Sequence, residues 1–507
     1  MAITPQTDIR LLKVPFGLDN KNQLTFDSEE AQTNYFLGLE YIETERTSYQ
    51  RKDNLIRYPA HIDSIINYNY VMYKNSNYTD KWFYAFITKM EYVNDNMTYI
   101  YIQTDVFQTW QFNLLYKECF IEREHVNDDT VGNNTIPEGL ETGEYIIDNI
   151  TSTDYLSSYK YVIQVSEPST DGAEKYLATN FGGIFMAGGA YICDTIQELV
   201  NIIQTYQNGR EDAILNVYIV PSFTIKNTSG SMQYSGQTDP GEFTINLGKP
   251  TSLNGYTPKN KKLLTYPYCF LNVSNNNGSV LEYNYEDFTE DSLYFKIKGV
   301  PVCGASIKCI PRNYKHSGDL YQEDYGVLAG KYPTLSWSND PYTNWLTQNA
   351  VNIGAGFVSA GASIISSFAT GDPVGVVGGG ISIANQLGEM YAHKIAPDTV
   401  KGNTNGADIN VSSKTNMFYF EKMSIKKEYA KIIDDFFTMF GYKVNTVKVP
   451  NITGRQNWNY VKTNGANIEG DIPQEDLQSI KDMFDNGVTF WHNSSTFLDY
   501  SQSNNIN

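Results

Sequence analysis

The chain has 507 residues, which is enough for about two to four domains with sizeable hydrophobic cores. Its formal net charge of −19 argues against general affinity for phosphate backbones or anionic lipid surfaces, because like charges repel. The 39 tyrosines and 25 phenylalanines favour pleated, half-buried sheets over helical bundles.

The first predicted domain, residues 1–126, is β-rich. Asp27-Ser28-Glu29-Glu30 is typical of a capped helix start and predicts a short helix through Phe36. A second short helix is expected over 61–67. The first residues contain no apolar core region, so no secretory signal is predicted.

The strongest strand signals in this domain predict a hairpin. Strands over 82–93 and 97–106 are joined by Asn94-Asp95-Asn96, which is a typical turn sequence. Phe86, Met90 and Tyr92 are spaced at even intervals, so we expect them to share one face of the first strand.

Residues 127–260 are predicted to form an insertion domain with a long loop. A strand over 159–165, a helix over 195–207 and a strand over 217–220 make a small α/β unit. Residues 224–260 are rich in Asn, Ser, Thr, Gly and Lys, which is typical of an exposed excursion.

A second β-rich domain is predicted over 261–340, with strands over 281–288, 292–301 and 305–310. The five cysteines are scattered through the chain and odd in number, which predicts buried thiols rather than a disulfide framework.

Residues 396–507 are predicted to form a closing α+β domain. A helix over 425–440 is expected to bury one apolar face. A last helix over 471–486 is expected to bury a stripe of Leu477, Ile480 and Phe484 and to end before Gly487. The residues of the first apolar face are Ile425, Tyr429, Ile433, Phe436, Phe437 and Phe440.

The remaining range, 341–395, contains a Gly-rich apolar stretch from Pro341 to Gly388 in which Asp372 is the only charged residue. Its first arm, 351–370, has 20 residues, about enough to cross a hydrocarbon core as a helix, whereas the 15 residues of 374–388 fall short. Gly371, Asp372 and Pro373 predict a turn between the arms, so the stretch is an apolar hairpin loop.

This hairpin has three interpretations on residue pattern alone. It is buried within the protein or at a subunit interface, it is stored away from water and later inserted in a membrane, or it is a single static transmembrane anchor. The third is disfavoured because no basic flank marks an orientation. The side chains expected to enter the membrane in the second case are Val351, Ile353, Phe357, Val358, Ile364, Ile365, Phe368, Val374, Val376, Val377, Ile381, Ile383 and Leu387.

The sequence lacks the usual motifs of catalysis. It has no HExxH motif, no GxSxG motif and no P-loop, so we predict no enzyme activity, no metal site and no cofactor. Glu122, Glu124 and His125 could form an acid–base group, but a charged sheet rim is the simpler interpretation. The cluster Asp128-Asp129 with Asn133-Asn134 could hold Ca²⁺, but a solvated turn is simpler.

Several short sequences resemble one protein family. They are Lys81-Trp82-Phe83-Tyr84-Ala85-Phe86, Asp105-Val106-Phe107-Gln108-Thr109-Trp110, Phe120-Ile121-Glu122-Arg123-Glu124-His125-Val126, Phe440-Gly441-Tyr442-Lys443-Val444-Asn445, Trp458 before Asn459-Tyr460-Val461, Gly470-Asp471-Ile472, Phe484-Asp485-Asn486-Gly487 and Trp491-His492. In these the chain resembles the tail knob, or distal tail tube, proteins of the small short-tailed phages of the phi29 type. The resemblance covers 1–126 and 341–492, is weak over 262–310, and is slight over 127–260.

The resemblance implies an α+β, β-rich, multi-domain tube-forming subunit of a virion, located at the distal end of the tail. It implies a homohexamer, associated with other phage tail proteins, whose lumen conducts DNA without specific binding. It also implies that the apolar hairpin plugs this lumen and then forms a pore in the host cell membrane.

A second hypothesis is a tail protein that binds or degrades cell-wall glycan. Its support is only the aromatic-rich sheet composition and the acidity of the chain. A third is a tail protein whose hairpin packs between subunits and never meets lipid.

Overall fold

The computed structural model describes residues 7–50, 53–75, 79–153, 159–167, 176–177, 180–181, 184–185, 189–206, 210, 213–225, 237–238, 241–275, 278–301, 305–315, 325–331, 334–336, 418–453, 459–502 and 504. The chain divides into two compact units. Unit 1 comprises Met1–Glu141, Pro258–Leu263 and Glu428–Asn507, and unit 2 comprises Thr142–Thr257 and Leu264–Lys427. The predicted boundary at residue 126 therefore lies inside unit 1, and the predicted range 396–507 contributes to both units.

The α-helices of the described residues are α1 (Glu29–Leu37), α2 (Ile62–Ile65), α3 (Val106–Trp110), α4 (Ile196–Thr205), α5 (Lys427–Phe440) and α6 (Gln474–Asn486). The first strands, all in unit 1, are β1 (Thr7–Leu12), β2 (Asn22–Leu24), β3 (Tyr41–Thr47), β4 (Tyr49–Gln50), β5 (Leu55–Tyr58), β6 (Tyr70–Asn75), β7 (Thr79–Asn94), β8 (Met97–Thr104), β9 (Leu114–Tyr116) and β10 (Cys119–Glu124). Those of unit 2 are β11 (Tyr145–Ser152), β12 (Tyr159–Val165), β13 (Tyr176–Leu177), β14 (Asn180–Phe181), β15 (Ile184–Phe185), β16 (Gly189–Cys193), β17 (Ile214–Pro221), β18 (Gln237–Thr238), β19 (Gly241–Gly248), β20 (Cys269–Ser274), β21 (Val280–Tyr283), β22 (Ser292–Gly299), β23 (Ser306–Pro311), β24 (Val327–Lys331), β25 (Thr334–Ser336) and β26 (Tyr419–Ile425). Unit 1 is completed by β27 (Tyr442–Lys448), β28 (Asn459–Asn464), β29 (Ile468–Gly470) and β30 (Val488–Trp491).

Unit 1 is built around a seven-stranded antiparallel sheet in the order β3-β1-β6-β7-β8-β5-β4. One face packs against Phe36 of α1 through a cluster that includes Tyr70 and Phe86, and the other face buries Ile9 and Ile100 in a second cluster. Because both faces are covered, this sheet forms the centre of a two-sided core.

A second sheet of unit 1 has the order β2-β30-β28-β10-β27, with β2 and β30 parallel. Helix α6 buries Leu477, Ile480, Met483 and Phe484 in the same core cluster as Phe490 of β30. The predicted apolar stripe of the last helix is thereby confirmed, and Gly487 follows the helix with a φ of +93°.

Unit 2 contains sheets in the orders β11-β26-β20-β21, β13-β16-β12-β17-β25, β15-β14-β18 and β19-β22-β23-β24. Helix α4 packs on the second of these through Leu199 and Ile202, which confirms the predicted strand–helix–strand unit. The rings of Phe295 in β22 and Phe420 in β26 lie 5.0 Å apart between centroids and join the cores of two sheets.

The expectation that Phe86 and Met90 share a face of the long hairpin is wrong. Ile87 pairs with Ile102 and Lys89 with Tyr101, so Thr88 is an extra residue that forms a β-bulge. A bulge reverses the alternation of side chains beyond it. Phe86 therefore packs with Phe36, whereas Met90 packs against the cluster on the opposite face.

The predicted buried face of α5 is also partly wrong. Tyr429 and Phe440 are 36% and 37% exposed, and Ile425 belongs to β26. The buried side chains of the helix are Ala430, Ile433, Asp434, Phe437 and Thr438. The buried stripe is rotated toward Asp434 because this carboxylate accepts hydrogen bonds from another segment of unit 1, as described below.

The predicted exposed excursion over 224–260 contains a regular strand. β19 pairs with β22 over its eight residues, from Gly241 opposite Gly299 to Gly248 opposite Ser292. Ile245 is buried while Phe243 is 41% exposed. As an edge strand with a largely solvated surface, β19 tolerates the polar composition that predicted a loop.

Candidate functional elements

The apolar stretch connects two strands of unit 2. β25 is hydrogen-bonded to β17, and β26 lies between β11 and β20. Phe418 and Phe420 are fully or almost fully buried at the start of β26. Residues 337–417, including the predicted membrane loop over 351–387 and its turn at Gly371, Asp372 and Pro373, lie outside the described residues.

Two other kinds of site are absent from the described ranges. No helix there is long and apolar enough to cross a membrane. In the same ranges, no group of three or more His, Cys, Asp or Glu side chains is placed to hold a metal ion.

The candidate acid–base residues at the end of β10 are bound within unit 1. Glu122 pairs with Lys462 at 2.8 Å, and Glu124 pairs with Lys448. The ring of His125 is buried: Nδ1 accepts a hydrogen bond from the Tyr460 N–H at 3.0 Å, and Nε2 lies 3.1 Å from the carbonyl oxygen of Phe437. These contacts connect strands and a helix, as expected for the rim of a sheet.

The candidate Ca²⁺ turn is also occupied by protein groups. Asp128 accepts hydrogen bonds from Thr130 and Asn133, and the carbonyl of Asp128 accepts one from Asn134. Asp129 turns away and accepts a hydrogen bond from the Tyr442 hydroxyl at 2.6 Å. The two carboxylates therefore serve different parts of unit 1.

Arg123, in the Phe120–Val126 motif, belongs to a buried cluster of ion pairs. Glu138 is bound by the Arg123 guanidinium and by the Lys262 ammonium, and all three side chains are at most 8% exposed. Lys443 donates its backbone N–H to Glu138 at 3.0 Å, and Arg123 donates to the carbonyl of Gly441 at 2.6 Å. Burial lowers the pKa of Lys262, and the Glu138 carboxylate opposes this effect.

The cluster fixes a short segment of the chain, Pro258–Leu263, within unit 1. The carboxylate of Asp434 accepts the backbone N–H groups of Lys259 at 2.8 Å and Asn260 at 3.0 Å. Asp129 accepts the backbone N–H of Lys261 at 2.8 Å. Burial raises the pKa of Asp129, and the hydrogen bonds from the Lys261 N–H and the Tyr442 hydroxyl oppose the increase.

Gly441 allows helix α5 to turn into β27 beside this cluster. Its φ is +64°, and a side-chain Cβ at this position would overlap the carbonyl oxygen of Glu124. Only glycine combines a positive φ with so close an approach of two backbones. The Phe440-Gly441-Tyr442 motif is therefore explained by chain geometry.

The Asp105–Trp110 motif forms helix α3, where a strand end was expected. Asp105 caps this helix by accepting the Gln108 N–H at 3.1 Å, and it accepts the Tyr70 hydroxyl at 2.9 Å. The carboxyl group is fully enclosed, and burial raises its pKa to about 6 although both hydrogen bonds act in the opposite direction.

Sequence reasoning missed Glu138 and Asp434. Glu138 lies in a polar loop and Asp434 on a helix, two settings where acidic residues are ordinarily solvated. The one available signal for Asp434 was its position beside Ile433 and Phe437, on the apolar side of the helix.

Comparison with known proteins agrees with this architecture. Residues 5–115 match the family described as the caudoviral major tail protein N-terminus, and 230–505 match the C-terminal domain of the tail knob protein gp9 of Bacillus phage phi29. The tail knob proteins gp9 of Bacillus phages PZA and phi29 are each 27% identical to the chain, with 100% of both chains covered. The structure of the bacteriophage C1 tail knob protein, gp12, superposes with a TM-score of 0.69 over 97% of this chain and 98% of that one, at 17% identity, and shows the same fold.

These findings define a structural protein of a phage tail, with a tail-tube domain at its start, rather than an enzyme. The matched residues 230–505 are more than half of the sequence. The chain belongs to the family of the phi29 tail knob protein gp9.

Proposed function

We propose that six copies of the chain form a distal tail tube through which the phage genome leaves the virion. In this proposal the apolar stretch of each copy plugs the lumen at rest and then penetrates the host cell membrane. The tube associates with other tail proteins, and DNA passes through it without specific binding.

The observation that carries the membrane step is the composition of the apolar stretch. One charged residue, Asp372, is present between Pro341 and Gly388, in a chain with 19% charged residues. Small residues such as Gly375 and Gly379 let apolar helices approach closely in lipid, but they bury little area in a water-soluble core. Such a stretch gains most where a ring of subunits shelters it, or where lipid surrounds it.

Self-association is supported by an exposed sheet edge in unit 1. β27 is a terminal strand of the sheet β2-β30-β28-β10-β27. Val447, which is 67% exposed, lies opposite Phe120, which is 37% exposed, and Val449 continues the apolar surface at 46% exposure. A terminal strand with exposed apolar side chains is suited to contact another copy of the chain.

The net charge of −19 supports passage of DNA rather than binding. A protein that held the phosphate backbone would need an excess of lysine and arginine along the path. An acidic subunit instead repels the polyanion, so a lumen built from it would let the genome slide.

Dye release from liposomes tests the membrane step. Purified intact chain would be compared with a chain lacking 351–387, at neutral and at acidic pH. We expect leakage with the intact chain alone. Equal leakage with both chains, or none under any condition, would contradict the membrane role and leave a passive tube, whose assembly is tested separately by its mass in solution.

A further inference from the structure

Unit 2 holds an open cavity of about 360 Å³. Its polar lining includes Asp148 of β11, Lys422 of β26, Lys249 beyond the end of β19, and Tyr285. Its volume is within the range of small-ligand sites.

A β-bulge directs Asp148 to this cavity. Ile147 pairs with Met423 and Asn149 with Lys422, so Asp148 has no residue opposite it in β26. Its carboxylate accepts the backbone N–H of Asn254 at 3.1 Å. Bulges often redirect one side chain beside a functional site. One oxygen of this carboxylate is thereby used, and the group keeps further acceptor capacity.

The turn that carries Asn254 is tightly held. Leu253 and Tyr256 exchange two backbone hydrogen bonds of 2.8 Å. Asn254 and Gly255 have φ values of 46° and 74°, which place both in the left-handed region. The turn is thus a fixed wall of the cavity.

Tyr285 contributes a buried hydroxyl that has no hydrogen-bond partner among the described residues. The side chain is 1% exposed. Burial, with smaller effects from the neighbouring Cys269 thiol and Asp148 carboxylate, raises the pKa of Tyr285, so its proton is retained. An unpaired buried donor destabilises a fold, and a ligand acceptor would remove that cost.

The two lysines supply positive charge, and neither forms an ion pair with any residue that the structure describes. Lys249 donates to the carbonyl of Phe288 at 2.9 Å, and Lys422 donates to the carbonyl of Gly248 at 2.9 Å. Each ammonium group has three N–H donors, so both can bind a further acceptor. Burial lowers the pKa of Lys249, and the nearby Asp291 and Glu286 act against this.

We propose that this cavity binds a small anionic polyol, a ligand that carries a phosphate or carboxylate group beside free hydroxyl groups. The ammonium groups of Lys249 and Lys422 hold the anion. Asp148 accepts a hydrogen bond from a ligand hydroxyl, and Tyr285 donates one to a ligand oxygen. This site is independent of the proposed channel and membrane steps.

Ligand-observed NMR titration of the full chain tests the class of ligand. The probes are glycerol 3-phosphate and glucuronate, with inorganic phosphate and glycerol as single-group comparisons. We expect glycerol 3-phosphate or glucuronate, each of which carries both an anionic group and hydroxyl groups, to bind about tenfold more tightly than phosphate or glycerol. The tighter of the two shows whether the site prefers a phosphate or a carboxylate. Binding of phosphate equal to that of both probes, or no binding of either probe at millimolar concentration, would overturn the proposal.

Variants test the residues. Lys422→Met is expected to weaken the better probe about tenfold, whereas Lys431→Met, the same charge change on the exposed surface of α5, is expected to leave it unchanged. Tyr285→Phe is expected to weaken binding about three- to tenfold while the melting temperature stays equal or rises, because an unpaired hydroxyl is removed. Unchanged binding in Tyr285→Phe, or a marked drop in its melting temperature, would overturn the role of this hydroxyl.

Discussion

The ammonium group of Lys262 donates a hydrogen bond to the carboxylate of Glu138, and the two side chains are only 3% and 0% exposed. Arg123 binds the same carboxylate. Two buried cations therefore share one buried anion, in a cluster that joins β10, the segment Pro258–Leu263 and β27. A single carboxylate thus holds together pieces of unit 1 that are far apart in sequence.

Glu138→Gln is expected to destabilise unit 1 by about 3–5 kcal/mol, because Arg123 and Lys262 would remain buried without a counter-charge. Thermal unfolding followed by circular dichroism measures the loss. The matched control is Glu469→Gln, which breaks an exposed pair with Lys117 at 3.4 Å and is expected to cost less than about 1 kcal/mol. Equal losses in the two variants would show that the cluster is not a stabilising element.

Gly441→Ala is expected to destabilise the chain strongly, because the new Cβ would overlap the backbone of Glu124 and the φ of +64° would be strained. Gly465→Ala is the control, since its φ is +76° and no atom lies within 4 Å of the added Cβ. Backbone strain alone costs about 1–2 kcal/mol. A melting temperature for Gly441→Ala as high as that of the control would refute the close approach.

Asp105→Asn is expected to raise stability at pH 8 and leave it almost unchanged near pH 4. The pKa of Asp105 is raised to about 6 in the folded protein, against about 3.9 in an unfolded chain. The folded state therefore binds more protons between these values, and the contribution of Asp105 falls as pH rises through that window. Removal of the charge should add about 1–3 kcal/mol at pH 8, measured by denaturant unfolding.

Asp128→Asn is expected to change stability at pH 8 in the opposite direction to Asp105→Asn. Hydrogen bonds from Thr130 lower the pKa of Asp128, so its stabilising contribution is present at neutral pH and is lost as the pH falls through the lowered pKa. This variant should be less stable than the parent at pH 8 and equal to it in strong acid. A pH profile of the same sign in both variants would contradict the enclosed setting of Asp105.

Ile364→Asp is expected to leave assembly intact but reduce dye release, because a carboxylate at hydrocarbon depth costs about 3 kcal/mol per helix. Asn96→Asp is the control, since it adds the same charge to the exposed β7–β8 turn. Normal permeabilisation by Ile364→Asp would show that the apolar stretch does not enter lipid.

Val447→Glu is expected to reduce the mass of the assembly in light scattering, because it puts a charge on the exposed apolar surface of the terminal strand β27. Ile432→Glu on α5 is matched to it, since both native side chains are 67% exposed. We expect Ile432→Glu to assemble normally. Equal masses for the two variants would place the subunit contact elsewhere.

Periodic and capping signals predicted the local elements well. Ser28 caps α1 by accepting the Ala31 N–H at 3.1 Å, and the α6 stripe is buried as its spacing predicts. These features depend on neighbours within four residues along the chain, so the sequence window contains their causes.

The features that could not be predicted depend on distant partners. The bulge at Thr88 is defined by the pairing of β7 with β8. The burial of Asp434 is defined by Lys259 and Asn260, which lie 175 and 174 residues earlier in the chain. Neither partner is marked in the local sequence. The cavity beside Tyr285 has the same origin, because its lining comes from five separated segments of unit 2.

The parallel pairing of β2 with β30 has a consequence for synthesis on the ribosome. β30 and β28 occupy inner positions of their sheet, yet they are translated after all of unit 2. That sheet of unit 1 must therefore wait, with β2 and β10 already made, until the last strands emerge. A chain released early lacks the middle of that sheet, so the fold itself discriminates against truncated copies before they can join a virion.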